Sequence, residues 1–188
     1  MNISVFYGSS RKDGNSELLA NEVLKGLDFK SIRLQELLID PIEDKRHSVE
    51  GFSIKIDDYD QIIQQMLTSH ILVFATPIYW YSMSGTMKMM FDRLSQAIRD
   101  TRYPHLKKHL QTTKIIVLAV GGDEPHIKGL PMIQQFHYIF DFLGMSFDHY
   151  LLAKGNRPKD VLLDEKAIQE SKLLNKWLFG LKENFPKD

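Results

Sequence analysis

Two runs of this chain are apolar at every position, Ile71-Leu72-Val73-Phe74-Ala75 and Ile115-Ile116-Val117-Leu118-Ala119-Val120. A strand with one face in water alternates apolar and polar residues. A run without alternation suits a strand covered on both faces, as in a parallel sheet flanked by helices. With their flanks these runs give strands from Ile71 to Thr76 and from Lys114 to Val120. Ile3 to Tyr7, Ser31 to Gln35 and Phe147 to Ala153 read as three more. Between them lie helix patterns at Ser16 to Gly26, Asp58 to Thr68, Ser84 to Arg99, Pro131 to Leu143 and Asp164 to Asn184. Asp57 or Asp58 suits the cap of the second helix, and Asp164 that of the last. Five strands alternating with five helices predict a doubly wound α/β fold, a three-layer sandwich around a five-stranded parallel sheet in the order 2-1-3-4-5. That order places a ligand where the first and third strands diverge. No repeat or low-complexity tract interrupts the 188 residues, so residues 1–188 read as one domain. Asp40 to Ile56 is polar and irregular, a surface excursion long enough to cover a site.

Charge and cysteine usage narrow the function. Lys+Arg and Asp+Glu both total 24, a formal net charge of zero. That weighs against nucleic-acid binding, whose footprint is basic, and against an acidic electron carrier that docks by charge. The absence of cysteine excludes disulfides, thiolate nucleophiles and thiolate-held iron–sulfur clusters. Neither a basic n-region nor an apolar signal core opens the chain, and no apolar run approaches the roughly 20 residues of a membrane span. The expectation is a cytoplasmic protein with no membrane partner.

The first strand leads into Tyr7-Gly8-Ser9-Ser10-Arg11-Lys12-Asp13-Gly14-Asn15-Ser16. A strand, a hydroxyl- and glycine-rich turn and then a helix N-terminus form an arrangement that holds phosphate, because the freed amides point at the anion and the helix dipole favours it. Ser9, Ser10 and Ser16 add hydroxyl donors, and Arg11 adds a charged fork. A nucleoside-triphosphate loop needs four residues between its glycines and then Lys. Here five separate Gly8 from Gly14, and Asn15 stands in the lysine position. A dinucleotide fingerprint needs three glycines, and only two occur. One terminal phosphate, as in a mononucleotide, remains. The competing reading is a serine-rich turn with an ordinary helix cap at Asn15 or Ser16.

The third strand ends in Thr76-Pro77-Ile78-Tyr79-Trp80-Tyr81. Three successive aromatics cannot all point inward, so at least one is exposed at the ligand-binding edge of the sheet. Such a shelf suits a planar heterocycle, with Pro77 stiffening the turn that presents its amides. A hydrophobic loop buried by an oligomer contact is the competing reading, and both can hold at once.

Gly8-Ser9-Ser10-Arg11 and Gly14-Asn15-Ser16, followed by Thr76-Pro77-Ile78-Tyr79-Trp80 and Lys88-Met89-Met90-Phe91-Asp92-Arg93, resemble the NAD(P)H-dependent FMN reductases of the flavodoxin-like superfamily. The resemblance covers most of the chain in order and spacing. It implies that Ser9, Ser10, Arg11, Asn15 and Ser16 hold the FMN phosphate, while Pro77, Ile78, Tyr79, Trp80 and Tyr81 line the ring and ribityl chain. A third loop, Gly121-Gly122-Asp123, would meet the far edge of the flavin, though a plain turn explains its two glycines equally well. The chain also resembles the iron–sulfur flavoproteins around Asp57-Asp58, but the stretch that carries their cysteine cluster holds no cysteine here. The implied activity is hydride transfer from NADPH or NADH to FMN N5, and then to a small acceptor such as a quinone, a nitro or azo compound, or free flavin. No catalytic side chain is required. The rival reading is a flavodoxin-like electron carrier without nicotinamide activity. The resemblance also implies a homodimer or homotetramer.

His126, in the loop after the fourth strand, is a candidate substrate-side residue. His105 and His109 stand at i, i+4 spacing but lack a third ligand, so they read as surface histidines and no metal is expected. Lys88 and Arg93 read as solvated basic residues on a helix whose Met87, Met90, Phe91 and Leu94 face the core.

Overall fold

The computed structural model describes residues 1–185. The five strands are β1 (Ile3–Tyr7), β2 (Lys30–Arg33), β3 (Ile71–Pro77), β4 (Lys114–Gly121) and β5 (His149–Lys154). All neighbours pair in parallel, in the order β2-β1-β3-β4-β5. This is the flavodoxin-like arrangement expected from the apolar runs. The helices are α1 (Asn15–Val23), α2 (Tyr59–Leu67), α3 (Gly85–Ala97), α4 (Leu106–Leu110), α5 (Pro125–Lys128), α6 (Leu130–Leu143) and α7 (Glu165–Glu183). The short α4 and α5 have no counterpart in the sequence reading, because four or five residues carry too little periodicity to register. The second strand is shorter than expected, since Leu34–Glu36 turns into a 3₁₀ segment.

Alternate strand residues feed two separate cores. Ile3, Val5 and Tyr7 of β1 pack with α1 and α7, whereas Phe6 faces the side of α2, α3 and α6. A stack of Phe74, Phe91, Phe136 and Phe140, with ring centroids 5.0–5.9 Å apart, fills the second core. Of the expected caps, Asp164 is confirmed: its carboxylate accepts the amide of Ala167 at 3.1 Å. At the start of α2 it is Asp57 whose carboxylate accepts the first helical amide, that of Tyr59 at 3.2 Å, while the Asp58 carboxylate accepts the amide of Leu38 at 2.8 Å.

Arg93 corrects the expectation of a solvated residue. It is 2% exposed. Its guanidinium pairs with Asp57, donates to the carbonyl of Asp40 and the side chain of Gln96 at 2.9 Å each, and lies 4.5 Å over the Tyr59 ring. Burial alone would raise the Asp57 carboxyl pKa, yet Arg93 and the amides of Asp40 and Tyr59 outweigh it and hold the group below the usual range. Gln96 extends the anchor by donating to the carbonyl of Ser53 at 3.2 Å. The excursion from Asp40 to Ile56 is therefore pinned along the later turns of α3. None of its residues lines the cavities at the carboxyl ends of β1 and β3. Lys88, by contrast, is an exposed-face residue paired with Asp92.

Candidate cofactor site

The crevice at the carboxyl ends of β1 and β3 is built from the loops that leave them. Gly8 extends β1 by donating its amide to Ala75 at 2.9 Å. Thr86, in the first turn of α3, donates its hydroxyl to the carbonyl of Gly8 at 3.2 Å, tying the two loops together. Asp13 adopts a positive φ of 56°, and its amide donates to Glu17 at 2.9 Å. The Arg33 fork holds Glu17 below the usual carboxylate range, against the opposing effect of burial.

Helix α1 begins with Gly14 at its cap position and no side chain capping it. The turn capped by Asn15 or Ser16 is thus not what forms. The amides of Glu17 and Leu18 return to the carbonyl of Gly14, which leaves those of Asn15 and Ser16 without a carbonyl partner among the described residues. Ser16 is 2% exposed, and its buried Oγ has no hydrogen-bond partner. A buried hydroxyl left unpaired costs about 1–3 kcal/mol. Here it sits where an anion would meet free amides and the positive end of the helix dipole. The Arg11 guanidinium is exposed and likewise makes no ion pair among the described residues, whereas Lys12 is paired with Glu36 at 2.9 Å. This donor set fits a phosphate group.

Ser9, Arg11, Asn15 and Ser16 share one cavity of about 190 Å³ with Pro77, Ile78, Tyr79, Gly121 and Gly122. Trp80 and Tyr81 line an adjoining cavity of about 400 Å³ with Ile78, Gly121 and Gly122. Ser10 is exposed and lines neither. His126 lies further round the sheet edge, in a cavity of about 630 Å³, with Nε2 3.7 Å from an oxygen of Asp164. The Asn15 carboxamide departs from its expected role: it donates to the carbonyl of Arg157 at 2.9 Å and accepts the amide of Val161 at 3.4 Å. His109 is not a free surface histidine, because its Nε2 lies 3.1 and 2.9 Å from the carbonyls of Met66 and Ser69.

The aromatic shelf is a tight turn. Tyr79 and Ser82 exchange two backbone hydrogen bonds of 2.9 and 3.0 Å. Between them Trp80 and Tyr81 both take positive φ, 50° and 63°. Two successive left-handed residues make a type I′ turn, a conformation that suits Asn and Gly and is strained for bulky residues, at about 1–3 kcal/mol each. Trp80 is 94% exposed, so packing is not what retains it there. The Tyr81 hydroxyl donates to Asp123 at 2.9 Å, and Asp123 also accepts from Lys128 at 2.8 Å. Lys128 and then Tyr81 hold the Asp123 carboxyl below its ordinary range.

Asp123, expected in the third loop with Gly121 and Gly122, joins that loop to the second through Tyr81, and Lys128, which no sequence signal marks, completes the clasp. Gly155 and Asn156, which no motif marks, also line the cavity of about 190 Å³ beside Ser16. Their only signal is position: they follow the fifth strand at the same carboxyl edge of the sheet.

A strand-order switch point carrying an uncapped helix N-terminus and an aromatic shelf defines a flavodoxin-like mononucleotide-binding protein. The model of the NADPH-dependent FMN reductase family matches residues 1–147, and the chain belongs to that family. A putative NAD(P)H-dependent FMN-containing oxidoreductase of Bacillus subtilis is 51% identical over 176 residues, covering 94% of this chain and 97% of that protein. Among solved structures, one described as the Trp repressor binding protein of Bacillus subtilis superposes with a TM-score of 0.78 at 45% identity, covering 92% of this chain and 96% of that one. An FMN-dependent NADH-azoreductase from Bacillus anthracis, in complex with FMN, has a TM-score of 0.66 at 16% identity and covers 95% and 99%. The last likeness concerns the fold alone. The protein is an NAD(P)H-dependent FMN oxidoreductase.

Proposed function

We propose that residues 1–188 form a single flavin domain that holds FMN with its phosphate on Ser9, Arg11, Ser16 and the first amides of α1, and its ring system against the turn from Pro77 to Tyr81. The observation that carries this reading is the buried, unpaired Oγ of Ser16 beside an uncapped helix start. Bound FMN would supply the redox chemistry, two-electron transfer from NADH or NADPH to a second substrate. The chain's part is to bind and orient. Gly121 and Gly122 bring the third loop close, and the Tyr81–Asp123–Lys128 clasp holds the strained shelf in place. Among the described residues no buried acid or base converges on the shelf, in keeping with hydride transfer that needs none. His126 is positioned for a substrate's outer portion rather than for the ring.

The acceptor is a small molecule of the quinone type, a reading supported by related proteins described as FMN-dependent NADH:quinone oxidoreductases. The working unit is a homodimer. Its support is an apolar groove of about 530 Å³ between α3 and α6, lined by Phe91, Leu94, Ile98, Tyr138 and Phe142, with Phe142 73% exposed. No helix among the described residues is long and apolar enough to cross a membrane, and we place the protein in the cytoplasm.

Anaerobic stopped-flow mixing of the FMN-loaded protein with NADH and NADPH tests the reading. Bleaching of the flavin band on a catalytic timescale, followed by reoxidation on adding a quinone, is the expected result. A flavin reduced by neither nucleotide would make the protein an electron carrier instead. Sedimentation of wild type and Phe142→Glu tests the dimer, which the substitution should split.

A further inference from the structure

We propose that Asn156, on the loop that follows β5, binds the ribityl chain of FMN and closes the cofactor site from a fourth side. The inference rests on the FMN placement above. It concerns a segment that the family match, ending at residue 147, does not include.

The loop is held in place without using the Asn156 side chain. The amide of Gly155 donates to the carbonyl of Gly121 at 2.9 Å. The amides of Asn156 and Arg157 both donate to Asp160, at 3.2 and 2.7 Å. Asn15 reaches across from the start of α1 to the carbonyl of Arg157, which makes it a positioning residue for this loop. The approach is close: a Cβ on Gly155 would lie 3.0 Å from Asn15 Nδ2. Among the described residues no protein group takes up the Asn156 carboxamide, although the amides of Gly155, Asn156 and Arg157 are all engaged.

That carboxamide is also well located. Asn156 lines both the phosphate cavity and the ring cavity. Its side chain lies flat on Gly122, where a Cβ would come within 3.1 Å of Asn156 Cβ and 3.4 Å of Oδ1. Gly122 therefore makes room for Asn156, which accounts for a glycine that the sequence left between a flavin contact and a plain turn. The part of FMN that joins a phosphate to a ring is a chain of hydroxyls, each both donor and acceptor. A carboxamide offers an acceptor oxygen and two N–H donors, and brings no charge to repel the phosphate.

The test uses apoprotein titrated with FMN, riboflavin and lumiflavin, with flavin fluorescence as the readout. Lumiflavin carries a methyl group in place of the ribityl chain, so it reports the ring site and the fold alone. Asn156→Ala should weaken FMN and riboflavin binding by about 3- to 10-fold each, the range for one neutral hydrogen bond, and leave lumiflavin unchanged. Asn156→Asp should weaken FMN more than riboflavin, because only FMN carries the phosphate. Unchanged FMN and riboflavin affinities in Asn156→Ala, or an equal loss for lumiflavin, would overturn the proposal. Wild-type protein that takes up no FMN would overturn the cofactor placement itself, and this inference with it.

Discussion

A Cβ built on Gly8 would lie 2.6 Å from Ser84 Oγ, closer than any real side chain tolerates. The first loop and the start of α3 are therefore pressed together, and the first loop cannot shift independently of the helix that follows the aromatic turn. Ser84 has little freedom to yield, because its Oγ caps α3 by accepting the amide of Met87 at 3.3 Å. Gly8→Ala should cost about 1–3 kcal/mol through overpacking and loss of the cap. Urea denaturation of the apoprotein measures that loss, and FMN titration should show weaker binding alongside it.

Ser16→Ala separates stability from binding. The apoprotein should be as stable as wild type or slightly more so, since the change removes a buried hydroxyl without a partner. FMN affinity should fall by about 10-fold or more, as expected for a hydrogen bond to a charged acceptor of about 1.5–3 kcal/mol. A large loss of apoprotein stability would mean that the hydroxyl has a structural partner.

Arg11→Ala should weaken FMN by about 10- to 100-fold, as expected for a charge-assisted hydrogen bond of about 1.5–3 kcal/mol. Riboflavin binding should not change. Equal losses for both flavins would place Arg11 away from the phosphate.

Trp80→Asn should stabilise the apoprotein by about 1 kcal/mol, because Asn accepts the left-handed conformation that Trp adopts at φ 50°. Little packing is lost, since the ring is 94% exposed. Reduction by NAD(P)H should slow, which is the trade expected of a strained site residue. Thermal melts and single-turnover rates measure the two effects.

Asp57 and Arg93 are each 2% exposed at the side chain. Removing one partner of such a pair strands the other charge, so Asp57→Asn should cost about 3–5 kcal/mol. The pH dependence has a definite sign. The folded pKa of Asp57 is lowered, so its contribution is complete above the ordinary carboxylate value near about 4 and is lost as the pH falls through the lower folded value. Urea midpoints measured from pH 7 down to pH 3 should show acid destabilisation that is smaller in Asp57→Asn than in wild type.

Local pattern determined much of this protein. Doubly apolar runs imply strands covered on both faces, and alternation with amphipathic segments implies the order of a doubly wound sheet, so the switch point and the two principal loops were legible in the residues. Which side chains in those loops are free to bind was not. Asn15 and Ser16 are neighbours with similar chemistry, yet Asn15 is taken up by Arg157, 142 residues away, and Ser16 Oγ is left unpaired. Arg93 looks like any surface base until Asp57, 36 residues earlier, folds against it. Asn156 joins the site only because β5 ends beside β4. A hydrogen-bonding group is spent or available according to what lies across from it, and tertiary packing decides that between segments far apart in the chain.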